Sequence, residues 1–518
     1  MRKMKKFMSL LVATAMCVGM LSGCAGSSGN KDNNTKANTQ EQTDTTNNTA
    51  TDDATTPDTT GDDAATDPVA STLPEMTTEN ITLTYVHFDN DPLVQFLAEK
   101  FMEKYPNIKV ETQYYPADGE YNNTLLNMVN NGETPDCMMI LGNCDFALSN
   151  QLLGDMTAYW EADAENNNIL PTINEAKMGY YGTDVKYGTP MKFFPDAIYA
   201  DMAVFEKMNV DMPSTSWTWD EMINSIKAVT SPSDGIYGFN QYHSLVTYYP
   251  VAADPNCIGE FGWDGTSFNM ENWAKGVNQW AELVNGKYHA PFWDTDENEA
   301  WTGDRTAWAG STGKIGFQLD AWWTYLNLFD TDEWKEKGIE FVPYTTPVVE
   351  GSGSKNVFGV LDFGGISSGT ENPREAYELL KWMGWGAEGW TYKVEGYKTL
   401  TAADGTPIYK QSMPLPITLD ETVWAGIKEF YPSATKANPT EADLKYGPYF
   451  DAFFEKCINV IPFGDTQIPG FVTFIAEAYA GIEDSVRIDG KNAADYVSEL
   501  EQKANEYNKA ALSECFGQ

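Results

Sequence analysis

Apolar and polar residues recur with two different periods at the start of the folded part of the chain. Over residues 81–88 (ITLTYVHF) they largely alternate, which predicts a β-strand. Over residues 93–105 the apolar positions recur every three or four residues, which predicts a helix that Pro106 ends. The same signals predict a strand at 108–114, a helix at 121–129 and a strand at 137–141. This βαβαβ order predicts an α/β fold with a mostly parallel sheet flanked by helices.

Polar side chains follow two of these strands. Phe88, Asp89 and Asn90 come directly after the first strand, and Gly142, Asn143 and Asp145 come after the third. Because ligands of open α/β sheets approach the carboxyl ends of strands, we expect both segments to contact a ligand. The alternative is that they only form turns and helix caps, which Asp and Asn favour.

The amino terminus has the features of an export signal. Four basic residues at positions 2, 3, 5 and 6 precede an uncharged, mostly apolar stretch at 7–20, which is too short to cross a bilayer comfortably. The following Leu-Ser-Gly-Cys resembles the lipobox of bacterial lipoproteins, in which the thiol of the cysteine, here Cys24, receives a diacylglyceryl group. We therefore expect a signal peptide at 1–23 and a lipid anchor at Cys24. The alternative is an ordinary signal peptide in which Cys24 is incidental.

Residues 24–75 are rich in Thr, Asn and Asp, and no aromatic residue occurs after the apolar stretch until Tyr85. Such a segment buries too little apolar surface to offset the entropy of ordering it. We expect a disordered tether that holds a folded part away from the membrane surface.

Several segments in a fixed order carry a resemblance to a known family. They are the opening from ITLTYVHFDND to LLGDMTAYW, then KYGTPMKFFPDAIYADMAVFEK, SWTWDEMINSIKAVT, GKIGFQLDAWW, GVLDFGGISSGTENPREAYELLKWM and IPGFVTFIAEAYAGI. Together they resemble bacterial extracellular solute-binding proteins of the sugar-binding type (family 1), the receptors of ABC importers.

The resemblance implies a two-lobe, periplasmic-binding-protein-like fold. One lobe would comprise residues 76–190 and about 366–400, and the other about 191–365 and about 410–518. Hinges would lie near 190–194, near 359–365 and within about 396–414.

The resemblance also implies the function and the partners. The protein would be a monomeric receptor without catalytic activity or cofactor that closes around a carbohydrate and delivers it to the permease subunits of an ABC importer. Its only membrane contact would be the lipid on Cys24, at the outer face of the cytoplasmic membrane, which suits a Gram-positive cell. Two alternatives remain open: a receptor for a peptide or a cationic small molecule, and a surface-anchored glycoside hydrolase or lyase.

Aromatic residues support a carbohydrate ligand. Nine of the sixteen tryptophans lie between positions 263 and 334. Sugars present apolar C–H faces ringed by hydroxyls, so their sites combine aromatic rings with hydrogen-bonding side chains.

The resemblance singles out individual site residues, each with a structural alternative. Trp322 and Trp323 are both candidates for stacking on the sugar. We expect Trp323 to be the stacking ring and Trp322 to pack in the core. Asp320 would accept sugar hydroxyls or cap the next helix. Lys192 lies on the first crossing and either binds ligand or only extends to solvent. The remaining candidates are second-lobe aromatic residues that could equally be core: Tyr248, Trp263 and Phe471.

Charge and cysteine content exclude other classes. The formal net charge of −41 argues against nucleic-acid binding, which needs a basic face. The cysteines after Cys24 show no paired spacing and no neighbouring histidine, so we expect free thiols and no zinc site. The acidic stretch that begins at Asp294 is not an EF-hand, because Glu299 and Arg305 occupy the positions of the required Gly and final Glu. We expect no metal site.

Overall fold

The computed structural model describes residues 72–142, 144–175, 183–242, 244–324, 332–411, 413–462 and 468–517. The signal peptide, residues 24–71 of the tether, which include Cys24, and Asn143 lie outside the described residues. Among the described residues no helix is both long enough and apolar enough to span a bilayer.

The strands form a mixed sheet in the order β2-β1-β3-β8-β4-β6-β5, to which β7 adds by pairing with β4 and β9 by pairing with β8. Their bounds are β1 Ile81–His87, β2 Ile108–Tyr114, β3 Cys137–Ile140, β4 Thr189–Asp201, β5 Tyr237–Gln241, β6 Ile315–Ala321, β7 Phe341–Tyr344, β8 Val357–Ile366 and β9 Val460–Pro462.

Helices connect and pack on these strands. Their bounds are α1 Leu93–Lys104, α2 Tyr121–Asn130, α3 Cys144–Ser149, α4 Thr157–Ala162, α5 Pro171–Glu175, α6 Met202–Met208, α7 Trp219–Ala228, α8 Leu245–Ala253, α9 Glu271–Asn285, α10 Asp296–Thr302, α11 Trp322–Thr324, α12 Asp332–Glu336, α13 Pro373–Met383, α14 Ala387–Thr399, α15 Glu421–Lys428, α16 Glu441–Lys456, α17 Phe471–Phe474, α18 Ile482–Arg487 and α19 Val497–Phe516.

The first lobe begins with the βαβαβ unit, whose predicted elements are confirmed to within a residue at each end. Strand β1 pairs in parallel with β2, starting at Ile81 opposite Ile108, and in parallel with β3. The buried face of α1 supplies Leu97 and Phe101 to the core. Helix α13 joins this lobe, since Trp382 donates its indole N–H to the carbonyl of Leu97 at 3.0 Å.

The long strands β4 and β8 run through both lobes. The first half of β4, up to Pro195, pairs antiparallel with β8, while the second half, from Asp196, pairs antiparallel with β6 and β7. Strand β8 in turn pairs antiparallel with β3 through its last residues. The predicted α/β two-lobe fold is confirmed. Of the described strand pairs, β1–β2, β1–β3, β5–β6 and β8–β9 are parallel, whereas β4 runs antiparallel to β6, β7 and β8, and β3 runs antiparallel to β8, so the sheet is mixed and not mostly parallel.

The second lobe is built on β5 and β6. Helices α7 and α8 pack on these strands and bury Met222, Phe239, Tyr248 and Phe317 in one core cluster. Helix α9 lies against α8, and its tryptophans join α17 and α19 in a separate aromatic cluster. Helix α15 lies beside α14 instead, and the ring of Phe430, two residues beyond α15, lies 6.4 Å from that of Tyr397 in α14, so the chain returns to the first lobe after the crossings.

Candidate functional site

The segment after β1 places one charged and one aromatic side chain at the sheet edge. Phe88 is half-buried and meets Tyr121 edge to face at 5.3 Å, whereas Asn90 is exposed. Asp89 forms an ion pair with Lys192. The predicted turn is present too, but the carboxylate that accepts from the backbone N–H of Leu93, the first residue of α1, belongs to Asp91, at 2.7 Å.

Lys192 occupies a polar position on β4 between two carboxylates. Its direct partner across the antiparallel ladder is Asp362 on β8, and its ammonium also lies 5.6 Å from the ring centre of Phe88. Burial lowers the pKa of Lys192 to about 8, and the negative charge of Asp362 opposes that shift. Burial likewise raises the pKa of Asp362, which the lysine charge partly offsets. Lys192 is therefore held by carboxylates and does not simply extend to solvent.

An open pocket of about 410 Å³ adjoins this group. It lies at the carboxyl ends of β1 and β2, where His87 and Tyr114 line it, and it is bounded on another side by residues 401–403. Burial, with a smaller effect of the Lys192 charge, lowers the pKa of His87 to about 4, so this imidazole is neutral at physiological pH. The pocket thus offers carboxylates, an amide and a neutral imidazole as hydrogen-bonding groups.

The second lobe contributes aromatic rings at the carboxyl ends of β5 and β6. Trp323 follows β6 and is half-buried. Phe194 of β4 meets its ring at 5.5 Å and 71°, and Tyr242, which follows β5 and is 43% exposed, meets it at 6.4 Å and 85°. Both neighbours therefore approach Trp323 edge to face, an arrangement that fixes its orientation.

Strand β4 connects these two groups. Side chains two residues apart lie on the same face of a strand, so Lys192 and Phe194 share one face. Lys192 contacts Phe88 and Asp89, and Phe194 contacts Trp323, so this face of β4 links the two groups. We call the set Phe88, Asp89, Lys192, Phe194, Trp323 and Tyr242 the crossing-strand site.

The structure places four of the candidate ligand-binding aromatics in the core instead. Trp322 is fully buried and stacks on Phe453 at 5.0 Å and 19°. Tyr248, Trp263 and Phe471 are also at most 3% exposed, within the second-lobe clusters. Because rings buried this deeply have no free face on which a ligand could stack, we leave all four out of the crossing-strand site.

Two candidate carboxylates are engaged by the protein itself. Asp320 is buried and accepts from the backbone N–H of Ala321 at 2.8 Å and from the hydroxyl of Thr324 at 2.6 Å. Asp145, in the first turn of α3, accepts from the backbone N–H of Gly470 at 2.7 Å.

Sequence reasoning missed Tyr242, Asp362 and His87. Tyr242 directly follows β5, as Phe88 follows β1, and His87 is the last residue of β1. Their positions at strand ends could therefore have identified both of them as candidates. Asp362 had none, since only the pairing of β8 with β4 brings it opposite Lys192.

Metal binding has no support at the acidic stretch that begins at Asp294. Arg305 donates to the carboxylates of both Asp294 and Asp296, so a guanidinium already neutralises them. Within the described part of the chain, no three His, Cys, Asp or Glu side chains are grouped closely enough to hold a metal ion.

Comparison with known families agrees with this architecture. The family model for bacterial extracellular solute-binding proteins matches residues 89–384, which is more than half of the chain. The chain belongs to this family. A search of curated proteins finds no match.

Several solved structures share the fold of this solute-binding protein. ABC substrate-binding protein Lmo0181 from Listeria monocytogenes, in complex with cycloalternan, is 16% identical with a TM-score of 0.57, covering 83% of this chain and 99% of that one. The sugar-binding protein MalE from the phytopathogen Xanthomonas citri is 13% identical with a TM-score of 0.58, covering 83% and 98%. The cyclic alpha-maltosyl-1,6-maltose binding protein from Arthrobacter globiformis is 14% identical with a TM-score of 0.56, covering 83% and 99%. At these identities the likeness establishes the fold.

Proposed function

We propose that this solute-binding protein captures a carbohydrate, an oligosaccharide, by closure of its two lobes and delivers it to the permease of an ABC importer. The observation that carries the proposal is the crossing-strand site, in which the half-exposed ring of Trp323 and the Asp89–Lys192 pair lie along one face of β4. Aromatic rings suit the C–H faces of a sugar, and the charged groups and the Tyr242 hydroxyl suit the hydroxyls of the sugar.

Lobe closure follows from where these groups are attached. Asp89 belongs to the first lobe, whereas Trp323 and Tyr242 belong to the second. A ligand that contacts both groups binds the closed arrangement better than the open one and so shifts the population toward it. The hinges would lie in β4 near 190–194, in β8 near 359–365 and in the segment 396–414.

The location belongs to the same proposal. Cys24 would carry the lipid that holds a monomeric receptor at the outer face of the cytoplasmic membrane, with the permease subunits as its protein partners. The protein would bind sugar without turning it over.

The test is thermal unfolding of a form that begins at Thr72, measured against a panel of mono- and oligosaccharides and followed by product analysis for every hit. Ligand at 100 times its dissociation constant stabilises the native state by about 2.7 kcal/mol. A shift with one glycan class and no product supports the proposal. Released product would instead indicate an enzyme, and a shift only with peptides or polyamines would indicate a different cargo.

A matched pair of variants ties the binding to the site. At the same ligand concentration, Trp323→Ala should lower the ligand-induced stabilisation from about 2.7 to about 1.4 kcal/mol, which corresponds to a tenfold loss of affinity. Trp293→Ala is the control, because this ring is 55% exposed and bonds only the carbonyl of Thr306, at 3.1 Å, in a surface loop. Equal loss of binding in both variants would contradict the assignment of the site.

A further inference from the structure

The C-terminal helix α19 is shared between the two lobes. Its first half belongs to the second lobe, where Leu500 and Ala504 are buried in the aromatic cluster that also contains Trp273 and Phe474. Further along, the buried amide of Asn508 donates to the carbonyl of Pro469 at 2.9 Å. This part of the helix is fixed to the second lobe.

The last turn of α19 packs against the first lobe instead. The ring of Phe516 stacks on that of Tyr187 with centres 6.4 Å apart and an interplanar angle of 18°. The thiol of Cys515 lies 3.9 Å from the carbonyl oxygen of Asp145 in α3. Cys515 and Phe516 both pack on the core cluster formed by β1, β3 and α2, which includes Met138.

A hydrogen bond joins the lobes at the same place. The carboxylate of Asp145 in the first lobe accepts from the N–H of Gly470, which precedes α17 in the second lobe. Gly470 has φ +78°, and a Cβ there would lie 2.3 Å from the carbonyl oxygen of Tyr507 in α19. Only glycine therefore lets the turn pass close enough to the helix to present its N–H to Asp145.

We propose that the last turn of α19, together with the Asp145–Gly470 bond, is a strap that stabilises the closed arrangement of the lobes before any ligand binds. Asp145 lies just beyond the carboxyl end of β3, which runs parallel to β1, so it stands at the same edge of the first-lobe sheet as Asp89 of the crossing-strand site. The hydrogen bond from Gly470 in the second lobe to Asp145 breaks when the lobes separate. The strap is a property of the protein alone and does not depend on which ligand it carries.

The consequence is a shift of population in the free protein. A receptor whose competent state is only partly populated binds its ligand with an affinity reduced by that fraction. Loss of the strap lowers the closed fraction, so it should open the free protein and weaken binding by the same factor.

The test uses the full chain, solubilised in detergent and free of ligand, with Phe516→Ala as the first variant. Cys515 reports directly on the strap, because among the cysteines with described side chains it alone is not fully buried. Its alkylation by N-ethylmaleimide is measured by mass spectrometry on the tryptic peptide that follows Lys509. Small-angle scattering of the same sample measures the separation of the lobes.

We expect Phe516→Ala to raise the alkylation rate of Cys515 about tenfold and to increase the radius of gyration, which corresponds to a shift of about 1.4 kcal/mol. Ser513→Ala is the control, since Ser513 is exposed on the same helix. Asp145→Ala is the second variant, which removes the acceptor from the other lobe and should produce the same opening if Phe516→Ala fails to fold.

Two results would overturn the strap. Faster alkylation with unchanged scattering in both variants would mean that the helix end frays without holding the lobes together. Unchanged alkylation and scattering would mean that these contacts contribute nothing to closure. Neither result bears on whether the protein binds sugar, since no ligand is present.

Discussion

The neighbouring tryptophans Trp322 and Trp323 should respond to truncation in opposite ways. Trp322 is fully buried, and its ring contacts those of Tyr431 at 5.0 Å, Phe453 at 5.0 Å and Phe454 at 5.5 Å. Trp323 is half-buried in the crossing-strand site. Trp322→Ala should therefore lower the free energy of unfolding, and Trp323→Ala should lower the affinity for ligand.

The magnitudes follow from what each truncation removes. Replacing a buried Trp by Ala leaves a cavity and costs about 3–5 kcal/mol, against a total stability of about 5–15 kcal/mol for a typical domain. Trp323→Ala removes a ring that already contacts solvent, so we expect a loss of at most about 1.5 kcal/mol. If the ring stacks on the ligand, its removal should cost more than about 1 kcal/mol of binding energy, which is a several-fold to tenfold loss of affinity.

The assay is urea unfolding followed by far-ultraviolet circular dichroism, combined with calorimetric titration of the glycan that the panel identifies. Trp293→Ala serves as the control for both measurements. The reasoning is refuted if Trp323→Ala destabilises the fold as much as Trp322→Ala does, or if Trp322→Ala leaves the unfolding midpoint unchanged.

Three further predictions concern pH and packing. Burial lowers the pKa of His289 to about 4, whereas the value in the unfolded chain is about 6.5. The contribution of His289 to stability is therefore complete above about pH 6.5 and is lost as the pH falls toward 4. Between pH 7 and pH 5 the unmodified protein should therefore lose about 2 kcal/mol more of its unfolding free energy than the His289→Phe variant does, as measured by urea unfolding. Equal losses in the two proteins would contradict this. Ligand affinity should fall above about pH 8, where Lys192 loses its proton, and Lys192→Arg should abolish this dependence; a similar decline in both proteins would rule out Lys192 as the titrating group. Gly389→Ala should destabilise the protein by about 1–3 kcal/mol in urea unfolding despite the higher helix propensity of Ala, because the new Cβ would lie 1.9 Å from the carbonyl oxygen of Trp382. A stabilised variant would show that α13 and α14 can move apart.

Local sequence patterns determined the first-lobe elements. The alternation over 81–88 and the helical period over 93–105 gave β1 and α1, because each element buries one face whose spacing follows from its own geometry. The polar residues at strand ends likewise indicated Asp89, since the carboxyl edge of a sheet is where ligands approach. The family resemblance supplied the two crossings, which are β4 and β8.

The tertiary structure alone decided which aromatic rings stay partly exposed and which carboxylates are already engaged. Trp322 and Trp323 are adjacent and chemically identical, so only the packing of α16 on one of them separates core from edge. Asp362 meets Lys192 only because β8 pairs with β4 in one register, and Asp145 meets Gly470 across more than three hundred residues of chain. Local periodicity carries no information about such long-range pairs, because their positions depend on how whole elements pack.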